Sequence, residues 1–307
     1  MKFGLSFLAT DIGQLPRRSA DGPTLVEAVI FNRSDLEKAS WDIIWKNISM
    51  AISEYCAENV TFHFPVNDSD YVNDPFVRSR LSEAHSRACD HGLCGIVVHA
   101  NRVMPIKLWS SYSVNDERSK VAECLEKISS QNCGSGCWIG LENMPVMDNS
   151  GDLIDPTFVF PEDFSILQGG QVKITWDICH FLNTIETCNL VTMGKSPRED
   201  FPNFRVTSKD SYLVLIDQIV HWHFSSFLGV PNRRNNEVCQ EGVLPWEGTL
   251  SEEEYLNALC LMSSVNSEAR CIFEVTEKNY RDRVNGRAML SWARNLIGTV
   301  RMVVEDN

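Results

Sequence analysis

The sequence contains no apolar run that approaches the roughly 20 residues a membrane helix requires, so we predict that the chain does not span a membrane. Basic residues are also scarce: 28 Lys and Arg stand against 41 Asp and Glu, which gives a formal net charge of −13. Such an acidic chain is a poor candidate for binding nucleic acid unless basic residues cluster on one surface. Nucleic acid is therefore a disfavoured partner.

Cysteine pairs in a CxxC spacing are absent, and the 11 cysteines are odd in number and scattered along the chain. In 307 residues this pattern is typical of reduced thiols buried as small apolar groups, and it predicts a cytoplasmic protein. Cys133 and Cys137 flank a Gly-Ser-Gly segment, which allows a metal knuckle, but we favour reduced thiols without a metal here. The apolar and charged fractions, 43% and 22%, are those of an ordinary globular chain.

Short apolar runs alternate with longer segments of helical periodicity. A helix is predicted at Pro75 to His91, where Gly92 follows at a C-cap position, and another at Ser251 to Val265, which opens with a capping-box pattern. Alternation of this kind implies parallel strands joined by right-handed crossovers. Eight strands are predicted, at residues 2–8, 25–31, 60–64, 95–99, 137–142, 172–177, 219–224 and 270–275.

Eight such units in 307 residues predict an α/β chain folded as a (β/α)8 TIM barrel, with residues 1–307 forming a single domain. The alternative is a doubly wound open sheet, which normally has a glycine-rich phosphate loop after the first strand, and no such loop is present. Two long polar segments, Met193 to Thr207 and Gly229 to Gly248, are predicted to be loops that wall a site.

A titratable residue stands at the carboxyl end of six predicted strands, after an apolar run in each case. Because a barrel brings the carboxyl ends of its strands to one mouth, these side chains are predicted to meet there. Buried imidazoles and carboxylates in this number need a cation, and mixed nitrogen and oxygen ligands suit Zn²⁺, Mn²⁺, Fe²⁺ or Co²⁺. We therefore predict a site for one or two divalent ions whose ligands are His63, His99, Glu142, Asp177, His223 and Glu274.

The same segments resemble the xylose isomerase-like barrel superfamily, which includes endonuclease IV and many sugar isomerases and epimerases. The most specific match is Trp176-Asp177-Ile178-Cys179-His180, which resembles the strand-end Asp-x-x-His of the family. Leu141-Glu142-Asn143 and His223-Phe224-Ser225-Ser226 resemble its Glu-Asn and His-x-x-(Asp or Ser) segments. The resemblance runs from about His63 to Glu274, in the same order and with compatible spacings, and it implies the barrel fold.

The resemblance also implies roles for individual residues. Glu142, Asp177, His223 and Glu274 match the four ligands of the metal shared by the isomerases and epimerases. His63 and His99 match the two histidines that, with the bridging glutamate, hold another ion in endonuclease IV. His180 matches a histidine that binds a third ion in the nuclease and touches substrate in the epimerases.

One departure from the nuclease pattern lowers the expectation of a third ion. The nuclease has a further Asp-x-His after its seventh strand, and Gln240 and Gly242 stand at the corresponding place here.

The candidate basic cluster is also small. It consists of Arg233 and Arg234, with Arg198 as an additional candidate, and it would serve a substrate phosphate or carboxylate.

The leading hypothesis is a metal-dependent isomerase or epimerase of a small carbohydrate-like substrate, a sugar or sugar phosphate. Glu142 and Glu274 would move a proton as base and acid, with His180 positioning a hydroxyl. A dinuclear phosphodiesterase resembling an abasic-site endonuclease is the second hypothesis, favoured by His63 and His99. A metal-binding barrel without catalysis is the third.

Other residues receive narrower predictions. Asn143 is expected to orient a ligand or contact substrate, and Arg233 and Trp246 are candidate substrate contacts. His221 is expected to be a core residue or a support for the ligands rather than a ligand itself. Two remaining expectations concern helices: His85 and His91 are predicted to be solvent-exposed, and an apolar face at Met289 to Ile297 suggests a homodimer.

Overall fold

The computed structural model describes residues 1–131, 134, 136–147, 152–232, 237–266 and 268–305, with side chains described only up to residue 296. Within these residues, eight parallel strands close a barrel in the order β1-β12-β9-β8-β6-β4-β3-β2. These strands are β1 (Lys2–Leu8), β2 (Leu25–Val29), β3 (Val60–His63), β4 (Gly95–Val98), β6 (Trp138–Glu142), β8 (Lys173–Asp177), β9 (Ile219–Phe224) and β12 (Arg270–Phe273).

The predicted TIM barrel is confirmed, and every neighbouring pair of barrel strands is parallel. Outside the barrel, two antiparallel ribbons are formed by β5 (Met104–Pro105) with β7 (Leu153–Ile154), and by β10 (Ser226–Leu228) with β11 (Gln240–Val243). The segment Gly229 to Gly248, predicted as a loop, therefore contains a strand.

Six α-helices are described around the barrel: α1 (Lys38–Tyr55), α2 (Pro75–His91), α3 (Val114–Ser130), α4 (Ile178–Thr192), α5 (Glu252–Val265) and α6 (Val284–Glu305). Short 3₁₀ helices occupy Ile12–Gln14, Arg33–Leu36, Ala57–Asn59, Ile106–Ser111, Pro161–Leu167, Arg198–Asp200, Ser211–Gln218 and Pro245–Glu247. Within this part of the chain, no helix combines the length and the apolar composition needed to cross a membrane.

The capping signals in the sequence locate the helix ends. The Asp74 side chain accepts hydrogen bonds from the first turn of α2, and Gly92 ends that helix in the left-handed conformation, with φ of 73°. Ser251 and Glu254 form the capping box of α5. These short-range signals succeed because each depends on a few neighbouring residues.

Helix α4 has no counterpart among the predicted elements. Its sequence is rich in β-branched and other apolar residues, and most of its side chains are buried, so it shows no clear polar face. It begins where β8 ends, because the Asp177 carboxylate accepts a hydrogen bond of 3.1 Å from the His180 backbone N–H. The first turn of α4 thus places His180 over the mouth of the barrel.

The barrel is filled and covered by large apolar side chains, among them Trp176, Trp222 and Phe62, which are fully buried. Met289, Leu290 and Ala293 of α6 are also buried within the chain. At these three positions, the apolar side chains that suggested a homodimer pack α6 against the rest of this chain.

Candidate metal centre

All six residues predicted from the strand ends lie at the mouth of the barrel. His63, Glu142 and Asp177 are the last residues of β3, β6 and β8, and His223 is the penultimate residue of β9. His99 and Glu274 each follow the end of a strand by one residue. Parallel strands in register around the barrel bring these positions together, which is why residues up to 211 apart in sequence share one site.

Glu142 is the central carboxylate of the cluster. Its Oε2 lies 3.2 Å from His63 Nε2 and 3.2 Å from His99 Nε2, while its Oε1 lies 3.1 Å from His223 Nδ1. The side chain is almost completely buried, so both oxygens are held by these neighbours. One carboxylate therefore faces two groups of potential ligands.

Two sets of donor atoms share Glu142. In the first set, His63, His99 and Glu142 each present a donor atom within 4.8 Å of the others. In the second set, the same holds for Glu142, Asp177, His223 and Glu274. Nitrogen and oxygen donors in this arrangement fit divalent ions such as Zn²⁺ or Mn²⁺, with Glu142 as a bridge.

The electrostatics of the cluster depend on the pairing of imidazoles with carboxylates. Burial opposes ionisation of Glu142, but His223 and His99 hold its pKa well below the usual range. Burial likewise opposes the charge on His223, but Glu142, Glu274 and Glu27 hold its pKa well above the usual range. In the protein alone, Glu142 therefore favours its ionised form and His223 its protonated form, and a divalent ion would displace the imidazole proton.

Glu274 differs from Glu142 in its surroundings. Its side chain is 30% exposed, whereas that of Glu142 is 1% exposed. Burial of the carboxyl group, together with the nearby charges of Glu142 and Asp177, raises the pKa of Glu274 to about 7. The two carboxylates therefore have different environments within one ligand set.

Asn143 orients two members of the cluster. Its side chain donates a hydrogen bond of 3.0 Å to the Asp177 carbonyl and accepts one of 2.6 Å from the Asp177 N–H. Its own carbonyl lies 2.8 Å from His180 Nδ1. Asn143 is fully buried, so of its two predicted roles the structure favours orientation over substrate contact.

Glu27 also belongs to the site, although it is not among the residues predicted from the sequence. It lies in the middle of β2, completely buried, with Oε1 3.0 Å from His223 Nε2 and Oε2 3.1 Å from His221 Nε2. Thr61 also donates a hydrogen bond of 2.9 Å to its carboxylate. The available signal was a glutamate inside an otherwise apolar strand, because a carboxylate is rarely buried without partners.

Two cavities open beside the cluster, with volumes of about 340 Å³ and 310 Å³. The larger is lined by Asp177 and Glu274, and the smaller by His99. His180 and Glu241 line both, and Glu241 Oε2 lies 3.8 Å from His180 Nε2. Glu241, rather than its neighbours Gln240 and Gly242, is therefore the residue of this segment that faces His180.

The backbone of the β10–β11 ribbon holds Glu241 over the mouth. Gly242 has φ of +76°, and a Cβ there would lie 2.7 Å from Thr276 Oγ1, so this position requires glycine. The Gly242 carbonyl accepts a hydrogen bond of 2.7 Å from the Thr276 N–H, which attaches the ribbon to the segment after β12. This close approach explains why the ribbon lies against the site.

Of the remaining predicted contacts, Trp246 and Arg198 lie outside the two cavities. Trp246 is 43% exposed, packs beside Trp292, and lines neither cavity. Arg233 and Arg234 lie outside the described residues. Arg198 packs over a phenylalanine ring in its own segment and lines neither cavity.

Comparison with known proteins supports the fold. No protein-family model and no curated protein matches the sequence. A solved structure described as a D-tagatose 3-epimerase-like protein superposes with a TM-score of 0.61 at 20% identity, covering 97% of this chain and 99% of that chain. Endonuclease IV from Thermus thermophilus has a TM-score of 0.58 at 11% identity, with coverages of 96% and 100%.

A xylose isomerase domain protein from Planctomyces limnophilus is similar as well, with a TM-score of 0.53 at 12% identity and coverages of 100% and 99%. Similarity at these identities establishes the fold, which is that of the xylose isomerase-like barrels. Epimerases and a nuclease have this same fold, so the fold does not determine the reaction. The reaction is therefore inferred from the residues of the site.

Proposed function

We propose that this protein is a divalent-metal-dependent isomerase or epimerase that moves a proton on a small, neutral carbohydrate. The observation that carries the proposal is the placement of Glu274 and Asp177, which belong to the four-residue ligand set and also line the larger cavity. A substrate in that cavity would reach the ligand set and a carboxylate able to exchange a proton.

The proposed roles follow from exposure and contacts. Glu274 is the more exposed of the two glutamates and is the group that would take a proton from the substrate carbon. Glu142 would act from the opposite, buried side of the ligand set. His180 lines the cavity and, with its Nδ1 fixed at the Asn143 carbonyl, would hold a substrate hydroxyl.

A divalent ion bound by Glu142, Asp177, His223 and Glu274 would polarise a hydroxy-carbonyl substrate and acidify its carbon-bound proton. The ligand set alone is compatible with Zn²⁺, Mn²⁺, Fe²⁺ and Co²⁺.

The preference for a neutral substrate rests on the charges that line the cavities. Among the described lining residues there is no Lys or Arg, while Asp177, Glu241 and Glu274 contribute carboxylates. A phosphate group needs cationic or N–H partners, and Glu241 would repel it. Of the two predicted substrate types, the unphosphorylated sugar is therefore the better match.

The proposal is tested by incubating the Mn²⁺- or Co²⁺-loaded protein with ketoses in D₂O and following deuterium incorporation by NMR. We expect incorporation at the carbon next to the carbonyl, and its loss in Glu274→Gln with metal still bound. Glu253→Gln, which changes an exposed glutamate in α5, is the matched control. Metal binding without exchange on any ketose or aldose would contradict the proposal.

A second candidate is a dinuclear phosphodiesterase resembling an abasic-site endonuclease. The specific observation in its favour is the additional donor set of His63, His99 and Glu142, which offers a place for a second ion. Hydrolysis of bis(p-nitrophenyl) phosphate or of abasic DNA, lost in His99→Ala, would favour this candidate. Absence of both activities, with two ions bound, would leave the barrel as a metal-binding protein without catalysis.

A further inference from the structure

A separate group of potential ligands lies at the opposite end of the barrel. His85 and Cys89 lie on α2, and Cys137 immediately precedes β6. Because α2 runs antiparallel to the strands, its last turns reach the amino-terminal ends of the strands, away from the metal centre at the carboxyl ends. This trio is therefore independent of the candidate reaction.

The three side chains converge. Each offers a donor atom, and the three atoms lie within 4.8 Å of one another. His85 and Cys89 are four residues apart on one helix, a spacing that places two side chains on the same face. Cys137 approaches from a different element, so the trio joins the helix to the start of a barrel strand. Cys133, its partner in the knuckle that the sequence allows, lies outside the described residues.

Two members of the trio are buried, so the trio is not a group of solvent-exposed surface side chains. His85 is completely buried, contrary to the expectation of a solvated histidine, and Cys137 is 8% exposed. The Nε2 atom of His85 lies 3.2 Å from the Cys137 carbonyl oxygen, which ties the ring to the residue that supplies one thiol. No cysteine within the described part of the chain forms a disulfide, and the Cys137 and Cys89 thiols form a hydrogen bond with each other.

Thiols are weak hydrogen-bonding groups and strong ligands for soft cations. Two thiols and an imidazole on one side of a helix match the donor types of zinc sites. Cys89 is partly exposed, which gives an ion a route to the trio and a position for a water ligand. By contrast, each ligand set at the mouth contains only nitrogen and oxygen donors.

We propose that His85, Cys89 and Cys137 form a second metal site, specific for a soft divalent ion such as Zn²⁺ or Cd²⁺. Binding would release the two thiol protons to solvent, and the imidazole would exchange a backbone hydrogen bond for the ion. The expected effect is structural, because a bound ion would fasten α2 to the start of β6 and stabilise the folded chain.

The test is a titration of the full-length, reduced protein with Cd²⁺, followed by ultraviolet absorption. Cadmium–thiolate bonds produce a charge-transfer band that nitrogen and oxygen ligands do not. We expect a band that saturates at one ion per chain, disappears in Cys89→Ser and Cys137→Ser, and is displaced by Zn²⁺. Cys260→Ser, another half-buried cysteine in a helix, is the matched control and should retain the band.

Two further measurements keep the result interpretable. The band should persist in Glu142→Gln, because the mouth does not contribute to it. In the unmodified protein, Cd²⁺ should protect Cys89 from alkylation by iodoacetamide, as measured by mass spectrometry of the peptide that contains Cys89. This measurement does not depend on whether a variant folds. Absence of the band, its survival in both serine variants, or unprotected Cys89 at saturating Cd²⁺ would overturn the proposal.

Discussion

His223 Nε2 lies 3.0 Å from Glu27 Oε1, at the bottom of the candidate metal centre, and both side chains are completely buried. The other ring nitrogen, Nδ1, faces Glu142 and Glu274. The charge of Glu27 beside Nε2 favours a proton on that nitrogen, which would leave the Nδ1 lone pair directed at the ligand set. Carboxylates in this position fix the tautomer and orientation of a metal-binding histidine.

We therefore expect Glu27→Gln to weaken divalent-metal binding by about 10- to 100-fold, the usual effect of losing such a support. Competition with a chromogenic chelator measures the affinity. Glu37→Gln, at an exposed position, is the control. A lower melting temperature with unchanged metal affinity would show that Glu27 supports only the fold.

The number of ions is tested by His63→Ala. Because His63 belongs to the donor set with His99 and Glu142, its removal should lower the bound metal by one ion per chain. Elemental analysis of the purified protein counts the metal. His91→Ala, an exposed histidine at the end of α2, should leave the count unchanged. An equal metal count in the parent and in His63→Ala would assign His63 to the substrate or to structure.

Glu241 is expected to contribute to substrate binding, since its carboxylate lines both cavities. For a neutral sugar, Glu241→Ala should reduce kcat/KM by about tenfold or more, because a hydrogen bond to a charged group contributes roughly 1.5–3 kcal/mol. The neighbouring Gln240→Ala, at an exposed position, is the control. Equal kinetics in the two variants would remove Glu241 from the site.

Another prediction concerns the start of α5 and the stability of the fold, without an effect on the site. The Ser251 side chain accepts a hydrogen bond from the Glu254 N–H, so Ser251→Ala should destabilise the protein by about 1 kcal/mol while leaving metal binding intact. Urea denaturation followed by circular dichroism measures the change. Ser264→Ala, near the other end of the helix, should have a smaller effect. A comparable loss in both variants would argue against a specific cap.

The convergence of the strand-end residues is the part of the site that the sequence predicts. His63, Glu142 and Asp177 each follow an apolar run, and the alternation of strands and helices implies that such positions share one mouth. Their convergence was therefore predictable before any distance was known. Helix α4 was not, because its buried, β-branched sequence lacks the polar face that reveals a surface helix.

Glu27, Glu241 and the trio of His85, Cys89 and Cys137 required the tertiary structure. Glu27 was visible only as an odd residue in an apolar strand, and its partner His223 lies 196 positions away in the chain. Glu241 reaches the mouth because Gly242 lets the ribbon approach Thr276 closely. His85 points inward, although the sequence of its helix suggested a solvated position.

The sequence by itself determined the barrel, the helix caps and the strand-end residues that meet at its mouth, because each depends on local periodicity or on the fixed polarity of parallel strands. The tertiary structure alone decided which nitrogen of His223 faces the ligand set, which carboxylate supports it, and which thiols meet beneath the barrel. These features depend on contacts between distant segments, whose relative positions are set by the packing of the whole chain and leave no periodic signal in any one of them.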